Sequence, residues 1–122
     1  MSRIAYGAAH VPLSPAVRAG DFVYVSGQVP VRDGAIVGAD VAEQTRVVLD
    51  NVAAALALAG CAMSDVVKTF AILTDAGDFA AFNAAYAAYF PIEPPARTTI
   101  EAGLMIDIRV EIEAVAYKPS GA

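Results

Sequence analysis

The sequence predicts an α+β fold in which one sheet carries two helices on a single face. Two stretches have helical periodicity bounded by capping and stop residues, and short β-branched or alternating segments lie before, between and after them. The composition adds a third observation. Of 122 residues, 57% are hydrophobic and 17% charged, against averages of roughly 45–50% and about 25%. This length suits one domain spanning residues 1–122. The apolar surplus predicts that a second copy covers part of the surface, or else that the chain is an alanine-rich monomer.

The elements follow in order. Asp21 to Gln28 alternates and is rich in β-branched and aromatic residues, which predicts a strand. Val29–Val31, Arg32-Asp33-Gly34 and Ala35–Val37 read as a short strand, its turn and its return. A helix is expected from Asp40 to about Ala59: Asp40 with Glu43 resembles a capping box, Val48, Leu49, Val52 and Leu56 form a stripe, and Gly60 stops it. Val66 to Leu73 is an apolar run bounded by Asp65 and Asp75. A second helix is expected from about Asp78 to Phe90, capped by Asp75 or Asp78, lined by Phe79, Phe82, Tyr86 and Phe90, and ended by Pro91. Thr98–Ala102 and Ile108–Tyr117 alternate as the closing strands. The predicted order is β-β-α-β-α-β-β.

Charge and cysteine usage exclude several classes. The net charge is −5, the pI about 4.6, and the basic residues are scattered. Binding a phosphate backbone needs clustered cations, so nucleic acid is a poor partner. The lone Cys61, in the apolar run Ala59–Met63, precludes an internal disulfide and reads as a buried small hydrophobe. One histidine, His10, and one cysteine do not make an ordinary zinc site. No signal-peptide core and no run of ~18 apolar residues is present, so no membrane partner and a cytoplasmic location are expected.

Four features could carry chemistry. Arg97 opens a strand behind two prolines, Pro94 and Pro95, and a guanidinium fixed there offers a planar fork to a carboxylate. It could equally be a surface arginine in an ion pair. Glu111 and Glu113 share one side of the last strand, as a base beside a bound carboxylate or as a solvated face; Glu101 could pair with Arg109. Ser26-Gly27 ends a strand where the backbone can approach a ligand, or forms a bulge. Asn83 lies on the aromatic stripe of the second helix and needs partners there, from backbone or from a ligand.

Taken together, Ser26-Gly27-Gln28, Leu56…Gly60, Asp65–Thr69, Leu73-Thr74-Asp75…Asp78-Phe79…Asn83…Tyr86…Tyr89-Phe90, Pro95–Thr98 and Val110–Ala114 resemble the RidA/YjgF family of enamine/imine deaminases. The resemblance runs from about Pro12 to Ala116. It implies a chorismate-mutase-like subunit with one mixed sheet, in a homotrimer whose sheets form a central barrel with three intersubunit clefts. It further implies that Arg97 binds the substrate carboxylate, that Ser26, Gly27 and Asn83 line the cleft, and that Glu111 positions the attacking water, with Glu113 the alternative. The implied reaction is hydrolysis of a 2-imino acid or its enamine to a 2-keto acid and ammonia, with no metal or cofactor.

Two positions depart from the family pattern. Leu13, in Pro12-Leu13-Ser14, stands where the archetype has a tyrosine in P-Y-S. Gly103-Leu104-Met105-Ile106-Asp107 replaces an R-L-P-K-D loop. Both imply an altered substrate, such as a larger or more apolar imino acid or an aminomuconate-like derivative. A non-catalytic module binding a small carboxylate or keto acid is the competing expectation. The ribonuclease label often attached to the family fits this acidic chain badly.

Overall fold

The computed structural model describes residues 3–119. In chain order the elements are β1 (Ile4–Tyr6), β2 (Ala16–Ala19), β3 (Phe22–Gln28), β4 (Val31–Arg32), β5 (Ala35–Ile36), α1 (Val41–Leu58), β6 (Val66–Leu73), α2 (Phe79–Ala87), β7 (Ala96–Glu101) and β8 (Val110–Tyr117). Six strands form one mixed sheet in the order β1-β2-β3-β8-β6-β7, and β4 pairs with β5 as a separate hairpin. All pairs in the main sheet are antiparallel except β6 with β7. Parallel neighbours need a crossover, and α2 supplies it.

Local chemistry explains the expected elements. Asp40 Oδ1 accepts from the Glu43 N–H at 2.9 Å, while Glu43 Oε2 accepts from the Ala39 N–H at 3.2 Å, so the helix start is capped on both sides. Gly60, at φ 76°, ends α1 in a Schellman turn, with Gly60 N–H donating to the Ala57 carbonyl and Cys61 N–H to that of Leu56. Asp33 and Gly34 both have positive φ, as a two-residue hairpin turn requires. On β8, Val110, Ile112, Ala114 and Ala116 are buried while the residues between them are more open. Those buried residues join Val48, Leu49, Val52 and Leu56 of α1 and Phe82 and Tyr86 of α2 in one core.

The expected strand order is corrected at the N-terminus, where β1 and β2 add a hairpin to the sheet. β2 reads Ala-Val-Arg-Ala, a weak strand sequence. Its Arg18 is buried and donates to the carbonyls of Lys118 at 2.8 Å and Ala59 at 3.2 Å. It thereby ties β2 to the end of β8 and to the negative end of α1. The second helix stops at Ala87 rather than Phe90. Asp75 caps the short turn before it, accepting from the Gly77 N–H at 2.8 Å. The expected Glu101–Arg109 pair is also corrected: Glu101 accepts from the Ala76 N–H at 2.7 Å, and Arg109 meets Asp78 at 3.2 Å. Cys61 is buried, and burial pushes its thiol up, away from a reactive thiolate.

The sheet face away from the helices is open in a single chain and mixes apolar side chains with Glu111 and Glu113. It carries Phe22, Tyr24, Ile100 and Tyr117, with Phe22 and Tyr117 in edge contact at 5.2 Å. No helix among the described residues is long and apolar enough to cross a membrane.

Candidate functional site

Pro94 and Pro95 bring the chain to β7, the edge strand, where Arg97 aligns with Thr69 of β6. Thr69 is buried on the helix side and bonded to the Tyr86 hydroxyl at 2.7 Å, so Arg97 points to that side too. Its guanidinium carbon lies 4.8 Å from the centre of the Tyr86 ring, 5.2 Å from Phe82 and 5.7 Å from Phe79. Rings of α2 thus hold one side of the cation. The ion pairs among the described residues are Arg32–Asp50, Arg109–Asp78 and Lys118–Asp65. Arg97 is in none of them, so the surface ion-pair reading gives way to a guanidinium whose fork is free. It faces a cleft of about 400 Å³ shared with Asn83, Phe90 and the two prolines.

A second cluster forms at the end of β3. Between Val25 and Gln28 the pairing with β8 slips, three steps on β3 facing two on β8, so Ser26-Gly27 is a bulge. The Ser26 hydroxyl donates to the Ser14 carbonyl at 2.6 Å and its N–H to that of Pro15 at 3.0 Å. Its hydroxyl proton is therefore spent inside the chain, leaving lone pairs to accept. A Cβ on Gly27 would overlap the Glu111 carboxylate, so only glycine lets the two approach. Burial holds the Glu111 carboxyl above the ordinary carboxylate range, and the neighbouring Glu113 charge adds to the rise. Glu113 itself is exposed. Leu13, half exposed, shares a cleft of about 570 Å³ with His10, Ser26, Gly27, Gln28, Val29 and Leu58.

Residues 4–118 match the family model described as Endoribonuclease L-PSP. The chain belongs to this family, RidA/YjgF. A RutC family protein of Pyrococcus horikoshii is 44% identical over 110 residues, covering 88% of this chain and 87% of the relative. A 2-iminobutanoate/2-iminopropanoate deaminase of Escherichia coli is 42% identical over 112 residues, covering 88% of each. Among solved structures, the YjgF gene product of E. coli superposes with TM-score 0.85 at 42% identity, covering 92% of each chain. Yeast Mmf1 superposes with TM-score 0.92 at 31% identity, covering 96% of this chain and 99% of its own. The RidA/YjgF family thus includes proteins named as imine deaminases.

In this RidA/YjgF chain the expected site residues fall into two groups. Arg97 joins Asn83 on the helix side of β7. Ser26, Gly27 and Leu13 gather at the bulge, where Glu111 meets Gly27 from the open face. A single chain does not bring the groups together. Sequence reasoning overlooked Thr99, which follows Arg97 by two positions on the same face of β7. Its Oγ1 and the Oδ1 of Asn83 are covered and have no protein hydrogen-bond partner among the described residues. The period-two alternation of the strand is the signal that could have found it.

Proposed function

We propose that this protein hydrolyses reactive 2-imino acids, or their enamine tautomers, to 2-keto acids and ammonia. The observation that carries this reading is Arg97, a guanidinium seated on aromatic rings, free of any carboxylate among the described residues and facing a cleft. Such a group selects a small carboxylate. Glu111, held near its proton by burial, is suited to take a proton from water as that water attacks the C=N carbon. The carbinolamine then collapses, the proton passes to nitrogen, and ammonia leaves. The substrate imine plus one water gives the keto acid plus ammonia, so the atoms balance without a cofactor.

Arg97 and Glu111 serve one substrate only if different copies contribute them. We therefore read the working form as a homotrimer with sites between subunits, its open sheet faces forming a central barrel. The apolar side chains of the open face, Phe22, Tyr24, Ile100 and Tyr117, support this, as does the free edge of β7. Leu13 in place of a hydroxyl-bearing side chain, with Leu58 and Val29 beside it, favours an imino acid with an apolar side chain.

A second reading rests on the Arg97–Asn83 cleft, which one chain builds alone and which could bind a small keto acid without turnover. The test generates imines in place with an amino-acid oxidase and follows keto-acid release. Acceleration over buffer that is lost in Arg97→Ala supports the deaminase. Binding by calorimetry with no acceleration supports the binding module.

A further inference from the structure

The chain leaves the main sheet just after the bulge. The pairing of β3 with β8 runs to Val25 opposite Ala114, slips at Ser26-Gly27, and resumes only with Gln28 opposite Ile112. Beyond that pair the chain turns into β4 and β5, which pair with each other and not with the main sheet. A lone pair at the end of a strand opens easily, so the far side of the bulge needs another hold. Asn51 of α1 supplies it. Its Nδ2 donates to the carbonyls of Val29 and Val31, both at 2.9 Å. Both protons of one amide thus go to backbone that has left the sheet. The half-buried side chain also borders the cleft lined by Ser26, Gly27 and Val29. The neighbouring Asp50 reaches the hairpin differently, meeting the exposed Arg32 side chain at 3.5 Å while accepting from the Tyr89 hydroxyl at 2.8 Å. Gly27 approaches the Glu111 carboxylate with no room for a Cβ, so a small shift of the bulge moves or uncovers that carboxylate.

We propose that Asn51 is a positioning residue: by clamping Val29 and Val31 to α1, its amide holds the Ser26-Gly27 bulge against Glu111. It touches no reacting atom. The proposal rests on the reading of Glu111 as the group that takes a proton from water. A residue that merely tied the hairpin down would change melting and leave the state of Glu111 alone. Loosening the bulge instead lets water reach the carboxyl, whose proton is held by burial first and by the Glu113 charge second, and so lowers its titration midpoint.

The experiment compares wild type with Asn51→Ala, Asn51→Leu, Asn51→Gln and Tyr89→Phe. Thermal unfolding, the pH profile of imine turnover and the titration of the Glu111 carboxyl by carbon NMR are recorded for each. Asn51→Leu keeps the shape and loses both donors without adding charge. It and Asn51→Ala should lower kcat about tenfold, as a displaced proton acceptor would, with KM within about twofold because Arg97 is untouched. The Glu111 midpoint and the acid limb of the profile should move down together. Asn51→Gln, which sets the amide one carbon further out, should fall between these variants and wild type. It carries the same comparison should the other two fail to fold. Tyr89→Phe, which loosens Asp50 but not Asn51, should keep kcat and the Glu111 midpoint whatever its melting temperature. Folded Asn51 variants with the Glu111 midpoint and kcat of wild type overturn the role of Asn51, and so does an equal shift in Tyr89→Phe. If wild type turns over no imine, the deaminase reading fails, and the Glu111 midpoint alone supports or overturns the hold of Asn51 on the bulge.

Discussion

Arg97 and Glu111 stand on opposite faces of one sheet, with only β6 between their strands. Arg97 aligns with Thr69 on the helix side, over the rings of α2. Glu111 aligns with Ile72 on the open side, under the Gly27 bulge. A layer of packed backbone separates them, so a three- or four-carbon acid cannot touch both within one chain. On the proposed reading the chemistry therefore needs two copies of the chain, and each half of it is open to separate attack.

The carboxylate anchor is the first target. Arg97→Ala should lower kcat/KM for imines generated in place by ~100-fold or more, since a misplaced substrate loses that much. Arg97→Lys keeps the charge but not the planar fork, and should recover only a minor part of the loss. Full activity in Arg97→Ala would remove Arg97 from the site.

Gly27→Ala probes the other half. The added methyl would overlap the Glu111 carboxylate and must displace it. Steady-state kinetics should show kcat falling ~10-fold or more with a smaller change in KM, as expected when a proton-transfer group moves out of reach. A crystal structure of the variant should show the Glu111 side chain in a different rotamer.

Glu111 also predicts a pH signature. It binds its proton more tightly when folded than when unfolded, through burial first and the Glu113 charge second. Its contribution to stability is thus present at low pH and is lost as pH rises through the raised folded value. Glu111→Gln, which cannot ionise, should melt above wild type at neutral pH, with the gap closing on acidification. In the active protein, the acid limb of the rate profile should lie above the ordinary carboxylate range. Glu113→Gln should shift that limb partway down.

How much of this was legible in the sequence depended on how local the causes were. β6 runs from Val66 to Leu73 as its composition indicates, and the Asp33-Gly34 turn follows from two residues that tolerate positive φ. The N-terminal hairpin was not legible. β2 is alanine-rich, and Arg18 finds its partners at Ala59 and Lys118, far along the chain. Likewise, the alternation of β8 shows that Glu111 and Glu113 share a face, but only the register across β6 shows that Arg97 lies on the other. Thr99 escaped notice because threonine is an ordinary strand residue, and its lack of a partner is visible only in three dimensions.

Leu13 bears on substrate choice. It borders an apolar cleft with Leu58 and Val29 at the bulge. Leu13→Tyr should narrow that cleft and lower the rate for an imine derived from leucine relative to one derived from alanine, by about 10-fold. An unchanged ratio would take Leu13 out of substrate selection.

The most direct test of a shared site is complementation between Arg97→Ala and Glu111→Gln, each inactive alone. Mixed in equal amounts by refolding together, they should form some interfaces that carry an intact Arg97 from one copy and an intact Glu111 from its neighbour. Random assembly into a closed ring predicts recovery of about one quarter of wild-type activity. Activity no higher than that of the separate variants, in mixed assemblies verified by mass, would contradict an active site built between subunits.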